Sequence, residues 1–331
     1  MRNIRISWYL FTGHLSRSIM IGRTNERTAL IDAMIRLLAA LFSTRSEHRV
    51  PHHPVFRDRT SAVVFLLGLA ALPVLTLAAD KDNNGANNED YERNRSHYYV
   101  AMGTAVAPDY EGSAYYEILP LVVARWIKRG AYAEIKGATL RANVIQESLW
   151  QFGPVFRYNR ARGKVGSVPI SRMEHIDGAW EAGAFFGALV RDPDRPVRQL
   201  GLEVQILQDL SGTHNGYHLD FELAGGVPIN DKWSIYMTLN SDYGSNRYMN
   251  TYFGVNASDA LRSGLQPFFP ESGFRDIAFS MAINYNISGH WGIALAGRYQ
   301  RMLGDAAKSP VVASAGNVNQ YVVTLMGTYA Y

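Results

Sequence analysis

The sequence predicts an all-β chain, a transmembrane antiparallel β-barrel of about twelve strands, with ten to fourteen allowed. Three observations carry this. Apolar residues alternate with small or polar ones in segment after segment, which is the two-residue period of a strand with unlike faces. A secretory-type leader stands before those segments. The chain has 19 tyrosines and 29 glycines but no cysteine. That composition suits aromatic girdles and tight turns, and it excludes a disulfide framework or thiolate metal site.

Charge separates the leader from the rest. The 331 residues carry a net charge of +4, but residues 1–79 hold ten of the 33 Lys and Arg and four of the 29 Asp and Glu. From residue 80 onward 23 basic residues face 25 acidic ones. No basic patch interleaved with aromatics remains there, so a nucleic-acid partner is not expected. Residues 61–77 are an uncharged apolar run, preceded by Arg57 and Arg59 and followed by Ala78-Ala79-Asp80. Positive flank, apolar stretch and small exit residues read as a signal peptide over 56–79. An uncleaved anchor is the alternative, but the run is short for a spanning helix and contains Pro73. Residues 1–55 read as an over-extended start or a disordered leader, with Val50 or Val55 fitting a GTG start codon. His48, His52 and His53 fall in this segment, without a fold around them to order a metal site. Residues 80–97 are polar and without period, a flexible periplasmic segment.

The barrel is expected over 98–331. Weaker alternations occupy roughly 98–107, 116–127, 131–145, 149–160 and 178–190. Stronger ones follow. Leu200, Leu202, Val204 and Ile206 alternate with Gln199, Gly201, Glu203 and Gln205. The same pattern runs through Tyr217–Leu223, Trp233–Asn240 and Asp276–Tyr285. In Trp291–Gln300 the apolar Trp291, Ile293, Leu295 and Tyr299 alternate with Gly292, Ala294, Ala296, Arg298 and Gln300. No stretch beyond residue 97 sustains a helical period. Short turns at Asn230-Asp231-Lys232 and Ser288-Gly289-His290 contrast with long connections at 252–273 and 304–318. Membrane barrels show this contrast, with turns in the periplasm and loops outside.

A soluble β-sandwich also alternates, with its apolar face inward. The leader and the aromatics near strand ends favour lipid instead; Trp126, Trp150, Tyr158, Trp180, Tyr217, Trp233, Tyr243, Tyr285, Trp291 and Tyr299 are such positions. The last strand ends on Tyr329 and Tyr331, which resembles the terminal signal read by the barrel-assembly machinery. Outer-membrane lipid and that machinery are thus the expected partners, and the cell outer membrane the expected location. The polar faces carry Glu203, Asp220, Glu222, Asp276, Arg298 and Arg301, expected to line the lumen.

Three ordered motifs resemble the MipA/OmpV family, the MltA-interacting outer-membrane proteins. The first runs Pro108-Asp109-Tyr110-Glu111-Gly112-Ser113, from Ala107, followed by Tyr116–Pro120. The second is Tyr252-Phe253-Gly254-Val255 with Ala260-Leu261-Arg262-Ser263-Gly264-Leu265. The third is Leu303–Val312, containing Asp305, Ser309 and Pro310, with Asn319-Gln320 beyond. The resemblance spans about 96–331. Lys308 departs from it, standing where the family usually has an acidic residue. From the residues themselves the motifs read as loop chemistry. Pro108 and Gly112 bracket a turn, Ser309-Pro310 starts a loop segment, and Ser258 or Asp259 caps a helical turn through Arg262.

The resemblance implies a non-catalytic scaffold that brings a periplasmic lytic transglycosylase and a bifunctional penicillin-binding synthase together for peptidoglycan growth. Other relatives imply a small-solute, porin-like channel. An enzyme is a further alternative, since His214 and His218 lie near Ser211 and Asp209. No spacing dictates a nucleophile and base, and no Gly-x-Ser-x-Gly occurs. His214 and His218 have a helical zinc spacing, but a strand would set them about 13 Å apart along the chain. Neither catalytic residue, cofactor nor metal is therefore expected.

Overall fold

The computed structural model describes residues 97–146, 149–192 and 195–331. The readings of residues 1–55, of the signal over 56–79 and of the segment from residue 80 lie outside the described residues, apart from His97.

Twelve antiparallel strands close into one barrel. They are β1 His97–Pro108, β2 Tyr116–Lys128, β3 Ala131–Lys136, β4 Thr139–Asn143, β5 Trp150–Asn159, β6 Ala179–Arg191, β7 Gln199–Asp209, β8 Tyr217–Pro228, β9 Trp233–Gly244, β10 Gly273–Asn286, β11 Trp291–Met302 and β12 Asn319–Ala330. Each pairs with its neighbours in sequence, and β12 pairs with β1. The seam runs to the last residue: Tyr98 and Tyr331 exchange N–H···O bonds of 2.8 and 2.9 Å. Closure satisfies the backbone between strands, which hydrocarbon demands.

The alternation maps onto the two faces of the wall. On β11, Ile293 and Leu295 point out to the lipid side at 44% and 52% exposure, while Ala294 and Ala296 are buried inside. Aromatics gather at both rims, as lipid-facing barrels require. At the turn end, the Trp233 and Tyr285 rings lie 4.6 Å apart and Trp291 and Tyr329 4.8 Å. At the loop end, Tyr158 and Trp180 are 4.8 Å apart and Tyr299 and Tyr321 5.4 Å.

Three expectations need correction. The segment 131–145 is a hairpin of two short strands, six and five residues long, against ten to fourteen elsewhere. Gly137, at φ 59°, makes the reversal, a conformation glycine adopts without a Cβ penalty. Arg301 lies on the outward parity of β11, exposed and bonded to the Asn319 side chain at 3.2 Å, rather than in the lumen. The loops also hold short helices that no periodicity announced: α1 Val168–Ser171, α2 Asn246–Phe253, α3 Ala257–Ser263, α4 Gly304–Lys308 and α5 Pro310–Ala313. The cap of α3 is neither Ser258 nor Asp259 but Asn256, whose side chain accepts from the Asp259 N–H at 2.8 Å.

A cation placed on the lipid face meets hydrocarbon, whereas one on the inner face meets a polar lumen. Leu295→Arg should lower unfolding free energy in lipid vesicles by roughly 2–4 kcal/mol. Gln300→Lys, on the inward parity of the same strand, should change it far less. Urea titration of the reconstituted protein checks both.

Candidate functional site

The lumen is held by charge. Glu134 on β3 receives Arg125 from β2 and Arg141 from β4, the latter at 2.8 Å. Arg141 reaches on to Glu203 of β7 at 2.6 Å, and Arg157 of β5 reaches Asp220 of β8 at 2.8 Å. These two pairs skip two intervening strands each and brace one side of the wall from within. Charge-assisted forks of this kind are stronger than neutral hydrogen bonds, and in the interior they offset a desolvation cost that an unpaired ion would carry in full.

A second cluster surrounds Glu181, whose two carboxylate oxygens take the Nε2 atoms of His214 and His218, each at 3.0 Å. His218 Nδ1 contacts Asp220 at 2.9 Å. The expected separation of the two histidines is thus overturned. His214 belongs to the turn before β8, not to the strand, and the turn brings it to the same carboxylate as His218. That turn is organised by Asp209, which accepts from the N–H groups of Ser211, His214 and Asn215 at 2.7–2.8 Å. The Ser211 hydroxyl bonds Asp209 and Thr213, not an imidazole. Among the described residues no group of three or more His, Cys, Asp or Glu has the geometry to hold a metal ion.

A third cluster joins wall to loops. A bulge between Phe274 and Asp276 shifts the register, so that consecutive Arg275 and Asp276 both turn inward and are buried. Arg275 pairs with Asp242 at 3.0 Å, Asp276 at 3.4 Å and the loop residue Glu111 at 2.7 Å, and also donates to the Tyr248 hydroxyl. Of the expected lumen residues, Glu203, Asp220, Glu222, Asp276 and Arg298 all lie on inward parities. Glu222 accepts from Asn240 at 2.8 Å, and Arg298 donates to the Asn240 side-chain oxygen at 3.3 Å.

Above this network the three motif segments meet over the mouth. Tyr110 sends its hydroxyl to the carbonyls of Val311 and Ala315, each at 3.3 Å, and burial pushes its pKa up to about 12. Ser309 caps α5, accepting from Val311 N–H at 3.2 Å, and donates to the Phe253 carbonyl at 2.5 Å. Gly112 (φ 95°) lies so close to Val312 that a Cβ there would come within 2.5 Å of a methyl group. Gly264 ends α3 in the left-handed region at φ 78°, as helix ends favour. Tyr252 presents its carbonyl to Arg162 at 2.6 Å. Asp109 accepts from the Gly166 N–H at 2.7 Å, and Gln320 donates to the Ser113 carbonyl at 3.0 Å. Two apolar clusters fill the plug, one of Tyr248, Met249, Phe253, Met302, Ala306 and Val312, the other of Tyr110, Ile170, Met173, Val255 and Val311. Gly254 and Ser263 end α2 and α3, Pro108 ends β1, and Pro310 opens α5. Tyr329 is outward at the turn-end rim and Tyr331 completes the seam.

Two spaces remain. A chamber of about 210 Å³ lies beneath the plug, lined by Arg157, Asp220, Asp242, Arg275, Arg298 and loop residues 107–111. A cleft of about 480 Å³ opens among the loops, between Arg162, Glu174, Asp177, Asp259, Phe268 and Phe269. Sequence reasoning missed Glu134, Arg141, Arg157, Glu181, Asp242 and Arg275. The first four sit on inward parities of strands whose alternation is weak, so the parity rule was available but faint. Arg275 needed the bulge to be known.

The family model for the MltA-interacting protein MipA matches residues 100–331. No curated protein matches the chain. Among solved structures, the chain is similar to the NanC porin at 11% identity, covering 70% of this chain and 98% of that one, with a TM-score of 0.36. An outer membrane channel from Pseudomonas putida F1 aligns at 9% identity over 71% and 95%, TM-score 0.38. OmpT of Vibrio cholerae aligns at 6% over 72% and 97%, TM-score 0.32.

Two outcomes follow from the plug geometry. Ser309→Ala removes a cap and a buried donor, so it should loosen the plug locally by about 1–2 kcal/mol, read as faster amide exchange at Val311 with the barrel ladder unchanged. Asp305 accepts from the Glu271 N–H at 3.0 Å and from Lys308 at 3.1 Å, which hold its carboxyl below the ordinary aspartate range. Its stabilisation is therefore complete above the unfolded-state value, about 3.9, and is lost as pH falls through the lower folded value. Protection of the Glu271 amide should persist to that range and then drop, and Asp305→Asn should remove the pH dependence.

Proposed function

The chain belongs to the MltA-interacting protein MipA family and is an outer-membrane β-barrel, and from that premise we propose that it acts as a non-catalytic scaffold. On this reading the barrel anchors a periplasmic face that holds a lytic transglycosylase beside a penicillin-binding synthase. The observation that carries it is an interior bridged by ion pairs beneath packed loop helices. Arg141–Glu203 and Arg157–Asp220 each bridge strands three apart inside the lumen, and the loop helices pack over the mouth in two apolar clusters. Such an interior serves an anchor better than an open pore. The motif residues from Pro108 to Ser113, with Tyr252, Phe253, Ser309 and Pro310, then work as the packing of that plug. A solute channel is the second reading, favoured by the charged chamber of about 210 Å³ under the plug.

Two measurements decide between them. The processed chain in planar bilayers should give no conductance steps, and deletion of residues 256–268 should not by itself create them while the lumen ion pairs stand. The detergent-extracted chain, used as bait for an envelope extract, should retain murein-cleaving activity. Absence of that activity together with steady single-channel steps would reverse the assignment in favour of the channel.

A further inference from the structure

The wall of the barrel is not level. The β3–β4 hairpin turns back at Gly137 and Ala138, and its last ladder contacts are Gly137 N–H to the Val122 carbonyl and Tyr158 N–H to the Ala138 carbonyl, each 3.0 Å. Above it, Tyr116–Leu121 of β2 pair only with β1. Two strands are missing there between β2 and the end of β5, a span of about 14 Å at ordinary strand spacing. The dip lies just below the outer aromatic rim, marked by Tyr116 on one side and by Tyr158 and Trp180 on the other.

The sequence is adapted to this edge. Val122 directs its backbone groups toward the hairpin, so by the two-residue period Pro120 does so too. Pro120 has no N–H to leave unpaired, which is where proline is tolerated in a sheet. An open edge facing hydrocarbon is costly all the same; above it the β5–β6 loop packs on the β1–β2 connection, Gly166 against Tyr115 and its N–H on Asp109, and the ion pair of Glu117 with Arg160 crosses the dip itself. Its two partners are not held alike. Arg160 also donates to the Asp109 carbonyl at 2.9 Å, which fixes it to the plug, while the Glu117 side chain is 35% exposed. The Nε atoms of Arg157 and Arg160 are buried without an acceptor, and both residues line the chamber beneath the plug. Outside the dip the wall is apolar, with Ile118, Phe156 and Trp180 exposed by 49% or more.

We propose that this dip binds a single-chain anionic amphiphile from the outer leaflet. Its carboxylate replaces Glu117 on Arg160, and its chain lies along Ile118, Phe156 and Trp180. The anchored partner is the cation, so the displaceable charge, and hence the ligand's head, is negative. This site is independent of the scaffold reading, since neither conductance nor partner capture depends on it.

Trp180 is a native reporter, because Trp126, Trp150, Trp233 and Trp291 lie near the opposite ends of their strands. The full processed chain in phosphatidylcholine nanodiscs, in mildly alkaline buffer, is titrated with 11-bromoundecanoate while tryptophan emission is followed. A saturable quenching component is expected, absent in Trp180→Phe, displaced by dodecanoate, and untouched by acetate or dodecyltrimethylammonium. Arg160→Gln should weaken it by about tenfold, the worth of one charge-assisted contact. Glu117→Gln should tighten it, a gain that a misfolded barrel does not produce. Quenching without a plateau, equal competition by the cationic amphiphile or by acetate, or loss of affinity in Glu117→Gln would each overturn the proposal.

Discussion

Everything in this molecule depends on one constraint: in hydrocarbon a backbone amide or carbonyl must find its partner within the protein. A closed ladder of strands meets that demand, and closure in turn divides every strand into a lipid side and an enclosed side. The lipid side takes leucine, isoleucine and aromatics, and the enclosed side is released from the need to be apolar. What the chain does with that freedom distinguishes it. Around β1, β2, β11 and β12 part of the inner face is apolar, with Tyr99, Ala101, Leu121, Val123, Ala294 and Met326 forming a cluster. The charges concentrate from β3 to β10, joined by Arg125 of β2 and Arg298 of β11.

The charged half explains how the wall is braced from within. Acid and base from non-adjacent strands meet at hydrogen-bonding distance, as Arg141 with Glu203 does, and each such pair fixes the distance between two parts of the wall. Removing one member leaves a buried charge uncompensated, which costs more than the intact pair contributes. The plug continues the same logic upward. Arg275 joins wall acids to Glu111 and Tyr248 of the loops, so the plug is tied to the lumen by electrostatics as well as by apolar packing.

How much of this was legible in the sequence varies with the range of the interaction. Strand identity and facing are local, and Trp291–Gln300 announces both. The lumen residues Glu203, Asp220 and Arg298 followed from the same parity. Arg301 broke the rule because, near the rim, an outward position reaches water and no longer excludes charge. The hairpin at Gly137 reads as one strand because its arms are only six and five residues long, too short to show that the inward parity changes from even at Glu134 to odd at Arg141 across the turn. The loop helices, four to eight residues long, are too short to display a period, and tertiary contacts such as Ser309 with Phe253 hold them rather than propensity. The convergence of His214 and His218 on Glu181 depends on how Asp209 folds a turn and on which strand lies opposite, and neither is written in the spacing of two histidines.

The seam between the first and last strands has a bearing on how the molecule comes to exist. Tyr98 and Tyr331 bond directly, yet more than two hundred residues separate them along the chain. Until the final strand arrives, β1 and every partial sheet built upon it present a raw margin of unanswered amides to whatever surrounds them. Contacts of such long sequence separation form slowly, and exposed margins invite pairing with other chains. The topology itself therefore sets a demand that only protection of that margin until closure can meet.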